Sequence, residues 1–108
     1  MIYELRTYEA APGKMGALNA RFRDRTTPIW ERLGMKVIGF WTYAHGGWSN
    51  ELLYLMAFDD MADRDRKWAA FQADPDWQKA VEETQRDGAL TARIRSDILR
   101  PTDYSPAK

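Results

Sequence analysis

Glu4, Arg6 and Tyr8 recur at a spacing of two, so in an extended chain their side chains leave the same face of a sheet. A carboxylate, a guanidinium and a phenol grouped this way can move a proton, hold an anion and donate to a carbonyl oxygen. Glu4 is the candidate acid/base, Arg6 a candidate anion holder and Tyr8 a candidate hydroxyl donor. The plainer alternatives are a structural Glu4–Arg6 ion pair and a buried Tyr8 hydroxyl that satisfies a neighbour. Arg93 and Arg95 repeat the spacing near the other end of the chain. Their planar forks match a carboxylate, although strand arginines also sit solvated at sheet edges or pair with an acid such as Asp97. Trp41 and Tyr54 complete the set as a stacking wall for a planar ligand. Core packing explains those two rings equally well.

Other chemistries lack their residues. The chain has no cysteine and one histidine, which leaves disulfides, thiol catalysis, zinc fingers and iron–sulfur clusters without ligands. His45 stands beside Gly46 and Gly47 in a loop-like stretch, where exposure and mobility are the default. It is a poor candidate for a base and a poorer one for a haem ligand, since a flexible loop does not hold a fixed iron distance. No metal site and no cofactor is expected. There is no glycine-rich phosphate loop, no Gly-Lys-Ser or Gly-Lys-Thr triplet and no nucleophile elbow. Lysines and arginines number 16, as do aspartates and glutamates, so neither nucleic acid nor an anionic membrane is an expected partner. The apolar run Leu52–Phe58 is far too short to span a bilayer. The opening residues do not read as a secretory leader, and cytoplasm is the expected compartment.

With 108 residues, 44% of them hydrophobic and 30% charged, the composition is that of one globular domain covering 1–108. Residues 2–8 are rich in strand formers and end at the turn signal Ala11-Pro12-Gly13. From 14 to 33, Met15, Leu18, Phe22, Ile29, Trp30 and Leu33 fall on one helical stripe. Pro28 interrupts it and predicts a kink near Arg25–Thr27. Residues 35–44 and 51–58 read as strands joined by a glycine-containing hairpin loop. Asp59 or Asp60 caps a helical region near 60–88, and Asp74-Pro75 restarts it. The alternating stretch 90–100 is a fourth strand before a short tail, 101–108. The charge run Asp63–Lys67 reads as a solvated helix face, and Trp68, Phe71 and Trp77 as the inner stripe.

The order β-α-β-β-α-β predicts an α+β, ferredoxin-like sandwich in which four antiparallel strands carry both helical regions on one face. A hairpin symmetric about Gly47 and Trp48 puts Trp41 opposite Tyr54. The aliphatic residues Ile38, Leu53 and Leu55 then point to the helices, and Trp41, Tyr43, Tyr54, Met56 and Phe58 face away from them. Glu4, Arg6, Tyr8, Arg93, Arg95 and Asp97 would join that uncovered face, with Leu5, Ile94 and Ile98 beneath the helices. An exposed aromatic patch of this size requires a cover, and a second copy about a twofold axis is the economical one. A homodimer is therefore expected, enclosing an aromatic wall and several charges, the usual make-up of a small-ligand pocket.

The residues also resemble the NIPSNAP family. Ile2-Tyr3-Glu4-Leu5-Arg6-Thr7-Tyr8 followed by Pro12-Gly13-Lys14 is similar to that family's first strand and helix start. Leu33-Gly34-Met35-Lys36 running into Gly39-Phe40-Trp41, Asp74-Pro75-Asp76-Trp77, and Ile98-Leu99-Arg100-Pro101 extend the similarity over nearly the whole chain. The resemblance implies the dimeric α/β-barrel form of the ferredoxin-like fold. Related barrels include cofactor-free monooxygenases, lactone isomerases and haem enzymes, which use the space between sheet and helices. It further implies histidines in the first helix and third strand, where this chain has Arg25 and Tyr54, so a histidine general base is not expected. The lack of a basic, acid-poor leader suggests a bacterial-type member. The resulting expectation is a homodimer that binds a small aromatic or carboxylated metabolite through Arg6, Tyr8, Trp41, Tyr54 and Arg93, with Glu4 as acid/base if it catalyses. The alternative is a non-catalytic protein–protein interaction module.

Overall fold

Gly13, at φ 74°, turns the chain from the first strand into the first helix, a conformation that glycine adopts without strain. The computed structural model describes residues 1–108. Its strands are β1 (Ile2–Ala10), β2 (Lys36–Thr42), β3 (Glu51–Phe58) and β4 (Thr91–Leu99). Its α-helices are α1 (Met15–Arg21), α2 (Thr27–Arg32), α3 (Met61–Ala73) and α4 (Pro75–Thr84), with a π-helical segment, Phe22–Thr26, between α1 and α2. The strands form one antiparallel sheet in the order β2-β3-β1-β4, and the helices lie on one side of it. This is an α+β, ferredoxin-like fold. No helix is long and apolar enough to cross a membrane.

The capping chemistry is local and direct. Asp60 accepts from the Asp63 backbone N–H at 2.8 Å and starts α3. Asp74 accepts from the Trp77 N–H at 3.1 Å, and Pro75 follows at the first helical position, where its missing N–H is harmless. Helix α4 ends at Thr84, short of Gly88. Pro28 acts differently from the expected kink. It cannot donate to the carbonyl of Asp24, and the helix accommodates it with a widened turn in which the Thr27 N–H reaches back to the Phe22 carbonyl. The path from α1 to α2 continues through that π-helical turn.

The register of the β2–β3 hairpin departs from the expectation by one residue. Trp41 lies opposite Leu53, and Phe40 opposite Tyr54. Nearer the start of β2, an irregularity between Val37 and Gly39 leaves Ile38 without a partner, which a strictly alternating pattern does not show. The sheet also turns the opposite side to the helices. Leu52, Tyr54, Met56 and Phe58 point to the helices with Tyr8 and are buried, while Leu53 and Leu55 share the outer face with Trp41. In β1, Glu4, Arg6 and Tyr8 lie opposite Ile98, Ser96 and Ile94 on the helix side, and Leu5 faces out opposite Asp97. Arg93, Arg95 and Asp97 are on the outer face, as expected.

The physical reason is the chemistry of the helices. They present Phe22, Trp30, Trp68, Phe71 and Trp77, and aromatic rings pack well edge to face. Phe22 meets Tyr8, Phe40 and Tyr54 at centroid distances of 5.4 Å each, and Trp30 at 5.9 Å. Trp30 is 5.2 Å from Tyr54 and 5.8 Å from Phe71. The aromatic side of the sheet is thus the one that interdigitates with them. Phe22 is the ring shared by β1, β2, β3 and α2, so Phe22→Ala is expected to cost about 4 kcal/mol, read as a lowered urea midpoint at unchanged slope. A loss below about 1 kcal/mol would show that the core closes around the gap.

Candidate functional site

Strand β1 places Glu4, Arg6 and Tyr8 beneath the helices, and each finds a different setting. The Glu4 carboxylate is 0% exposed. Its Oε1 accepts from Arg64 Nε at 2.9 Å and Trp68 Nε1 at 2.8 Å; its Oε2 accepts from Arg64 Nη2 at 3.1 Å, Arg6 Nη1 at 3.2 Å and Ser96 Oγ at 2.5 Å. Burial alone would raise its pKa. The hydrogen bonds from Arg64, Ser96 and Trp68, with the charge of Arg6, outweigh that and hold the carboxyl below its ordinary value. A general base needs a free lone pair and a raised pKa. In this arrangement Glu4 has neither, and its setting is that of a buried anchor between β1, β4 and α3.

Tyr8 and Tyr54, from adjacent strands, join their hydroxyls at 2.9 Å. Burial pushes the Tyr54 phenol well above its ordinary value, and the neighbouring Tyr8 adds to the shift. Tyr54 therefore stays protonated at neutral pH. Arg6 spans the two groups, bonded to Glu4 and lying 4.5 Å from the Trp68 ring centroid.

A cavity of about 220 Å³ opens beside these residues, between the sheet and the helices. Its walls include Arg6 and Tyr8 from the sheet, Arg21, Phe22, Thr26 and Trp30 from the first helical region, and Trp68, Phe71 and Trp77 from the second. Four buried side-chain polar atoms in the protein lack a hydrogen-bond partner: Arg6 Nε, Arg21 Nε, Thr26 Oγ1 and Trp30 Nε1. All four residues line this one cavity. Unsatisfied polar groups are costly and few in native proteins, so their convergence makes this cavity the candidate site.

Arg21 is the sharpest case. It is 6% exposed, sits 5.1 Å from the Trp77 ring centroid, and bonds only the Thr84 hydroxyl, at 3.4 Å. The acid nearest in sequence to Thr84, Glu83, pairs with Arg25 instead, at 2.9 Å. No carboxylate supports the Arg21 charge, and burial lowers its pKa. Sequence reasoning missed Arg21, Thr26 and Trp30 as site residues. The available signal was position: Arg21 falls three residues after Leu18, and Thr26 four before Trp30, on a stripe that is otherwise apolar.

Two expected site residues lie elsewhere. Trp41 is 51% exposed on the outer face, its ring folded over Gly39, where an added Cβ would sit 2.8 Å from the indole. The Arg93 side chain is 78% exposed on the same face and approaches Glu9 at 3.5 Å. The trough there is larger, about 530 Å³. Its arginines are solvated and find acids within the strand pairs, Arg93 with Glu9 and Arg95 with Asp97, so nothing in it calls for an added group. Glu4, Arg6, Tyr8 and Tyr54 are brought together, and Trp41 and Arg93 are not.

The NIPSNAP family model matches residues 3–106. The chain belongs to the NIPSNAP family. Mouse NipSnap homolog 3B is 29% identical over 77 residues, 71% of this chain and 30% of the mouse protein, so the chain spans under a third of that relative's length. A solved structure of protein Atu4242 from Agrobacterium tumefaciens, a NIPSNAP family protein of unknown function, is 30% identical, with a TM-score of 0.82 over 98% of both chains. A putative antibiotic biosynthesis monooxygenase from Nitrosomonas europaea shares the fold alone, at 12% identity and a TM-score of 0.65 over 94% of this chain and 98% of that one.

The saturated carboxylate makes a testable demand on pH. The folded pKa of Glu4 lies below the ordinary glutamate value, so its stabilising contribution is complete above that ordinary value and is lost as pH falls through the folded one. Glu4→Gln should cost about 3 kcal/mol at neutral pH, because Arg6 and Arg64 lose their shared counter-charge. The gap between the two proteins should narrow on acidification. Urea unfolding at neutral and acid pH reads both effects, and a gap that does not change with pH would contradict them.

Proposed function

We propose that this NIPSNAP domain binds a small aromatic or carboxylated metabolite in the cavity between its sheet and its helices. The observation that carries this reading is the gathering of every unpartnered buried side-chain donor or hydroxyl around that cavity. Drug-sized ligands occupy roughly 300–1,000 Å³, so about 220 Å³ suits a smaller molecule. The aromatic walls offer flat stacking surfaces, and the arginines offer charge. With Glu4 saturated, the Tyr8 hydroxyl, backed by Tyr54, is the proton-bearing group best placed to touch a bound carbonyl or hydroxyl oxygen. Any cofactor-independent catalysis would run through it.

We also place a second copy of the chain over the outer sheet face. Ile38, Trp41, Tyr43 and Leu99 stay exposed there, beside the half-buried Leu53 and Leu55, and large apolar side chains gathered on one exposed face favour a protein partner. The face is self-complementary in charge as well as apolar, since β4 sets Arg93 and Arg95 beside Asp97, and β1 adds Glu9. That face supports a homodimer in preference to an interaction module for an unrelated protein.

Two measurements test these readings separately. Thermal unfolding across a panel of small aromatic acids, ketones and lactones should find a compound that raises the midpoint by several degrees, since tenfold excess over Kd stabilises by roughly 1.4 kcal/mol. Val81→Phe, which extends a ring from α4 into the cavity, should abolish that shift. A panel without effect, or a shift that survives Val81→Phe, would remove the cavity from consideration. Light scattering should report twice 12.6 kDa, and Leu53→Arg should return the mass to that of one chain. A monomeric parent would overturn the dimer.

A further inference from the structure

The Arg21 guanidinium is a buried cation whose counter-charge is missing from the protein. The charges around the cavity can be paired off one by one. Glu4 balances Arg6 at 3.2 Å. Arg64 reaches the same carboxylate from α3 and finds a second acid in Asp65, at 3.0 Å. Arg25 and Arg32, on the outer sides of the same helical region, have Glu83 and Asp74. Arg21 has a hydroxyl and an indole face only. Burying a charge without a partner is among the costliest arrangements in a fold, and the Arg21 Nε carries no hydrogen bond at all.

We infer that the natural occupant of the cavity is a planar monocarboxylate, whose single negative charge is supplied to Arg21. This deepens the proposed function and rests on it. Four features point the same way. One unbalanced cation calls for one negative charge, so a dicarboxylate or phosphate dianion is disfavoured. A guanidinium donates two parallel hydrogen bonds to a carboxylate most effectively. The body of the ligand would lie along the wall in which Phe71 sits 5.8 Å from Trp68 and 4.5 Å from Trp77, an apolar and flat surface. Trp30 Nε1 and Thr26 Oγ1 then offer donors to a further oxygen on the ligand, so that three of the cavity's four unpartnered polar atoms gain an acceptor.

Arg21 sits at the end of α1, directly before the π-helical turn that carries Thr26. Such turns recur at functional sites because they redirect side chains that a regular helix would place elsewhere. Here Arg21 and Phe22 are buried side by side, one cationic and one apolar. A helix selected for packing alone would put an aliphatic residue at position 21. The arginine there lowers stability when the cavity is empty, as residues held for function commonly do.

Two probes of one shape separate charge from stacking: benzoate, and its neutral isostere benzamide. In the parent protein, benzoate should bind at least roughly tenfold more tightly than benzamide by calorimetry, the worth of a charge-assisted hydrogen bond pair. Phthalate, with two charges, should bind more weakly than benzoate. In Arg21→Met the preference for benzoate should vanish while benzamide still binds, and the ligand-free variant should unfold at a temperature no lower than the parent. Arg21→Lys should keep part of the preference. Equal affinity for the two isosteres in the parent, or a benzoate preference that survives Arg21→Met, overturns the monocarboxylate while leaving a working cavity. A ligand-free Arg21→Met that is markedly less stable, or that does not fold, makes Arg21 a structural residue and overturns the inference as well. Binding of neither probe, in a protein that also ignores the wider panel, removes the cavity and this inference with it.

Discussion

The Glu4 carboxylate is completely buried, and the arrangement of the domain hangs on how its charge is met. Ser96 reaches it from β4, Arg64 and Trp68 from α3, and Arg6 from its own strand. These donors fix α3 over β1 in one translation and one rotation, because each lone pair accepts from a different direction. A buried ion pair contributes little to net stability against an apolar substitute. A fully satisfied network does restrict the chain to one packing. Its consequence reaches the cavity: holding Trp68 and Arg6 on the same carboxylate sets the guanidinium 4.5 Å from the indole centroid and defines one end of the aromatic wall.

Glu4 and Arg21 are opposite solutions to the same physical problem. Both are charged side chains under the helices. The first is surrounded by donors supplied from three elements, and its pKa falls as a result. The second has no acid, and its pKa is moved by burial. A protein interior that so thoroughly satisfies one charge yet leaves another unmet, on the wall of the cavity that Arg6 and Trp68 also line, distributes its polar groups unevenly. The unevenness coincides with empty space, since Thr26 and Trp30, with the other unpaired atoms, border the same volume. A packing defect would scatter orphan atoms through the core.

Much of this was legible in the residues. The order of elements, both aspartate caps, the proline disturbance in the first helix and the grouping of Glu4, Arg6 and Tyr8 follow from spacing and turn chemistry, because those are local properties. The pairing register was not legible. It depends on Ile38, an extra residue in β2 that no alternation pattern reveals, and on a hairpin loop whose turn does not centre on Gly47 and Trp48. One residue of slip separated Trp41 from Tyr54 and put it beside Leu53, while the β1–β4 register, with Glu9 opposite Arg93 and Tyr8 opposite Ile94, set Arg93 on the far side of the sheet from Glu4, Arg6 and Tyr8. The assumption that aliphatic residues suit helix packing also failed for a specific reason, since the helices here are themselves aromatic. Arg21 was visible as a cation on an apolar stripe, but its lack of a partner is a tertiary fact.

The two faces of the sheet divide the work according to what water does to each. On the outer face the arginines of β4 keep their hydration and pair with acids on the same or the neighbouring strand, so that face can meet another protein surface through its exposed aliphatic and aromatic residues. Beneath the helices the side chains are largely buried, and a hydrogen bond made there is worth more than one made in water. Other proteins of this fold carry different side chains in the same layer, so the fold alone names no chemistry. On the proposed reading, selectivity would come from which buried groups remain unpaired, and they are donors almost throughout: two guanidinium nitrogens, an indole N–H and a hydroxyl. A site composed of donors discriminates by acceptor strength, which ranks a carboxylate above a ketone or amide and a hydrocarbon last.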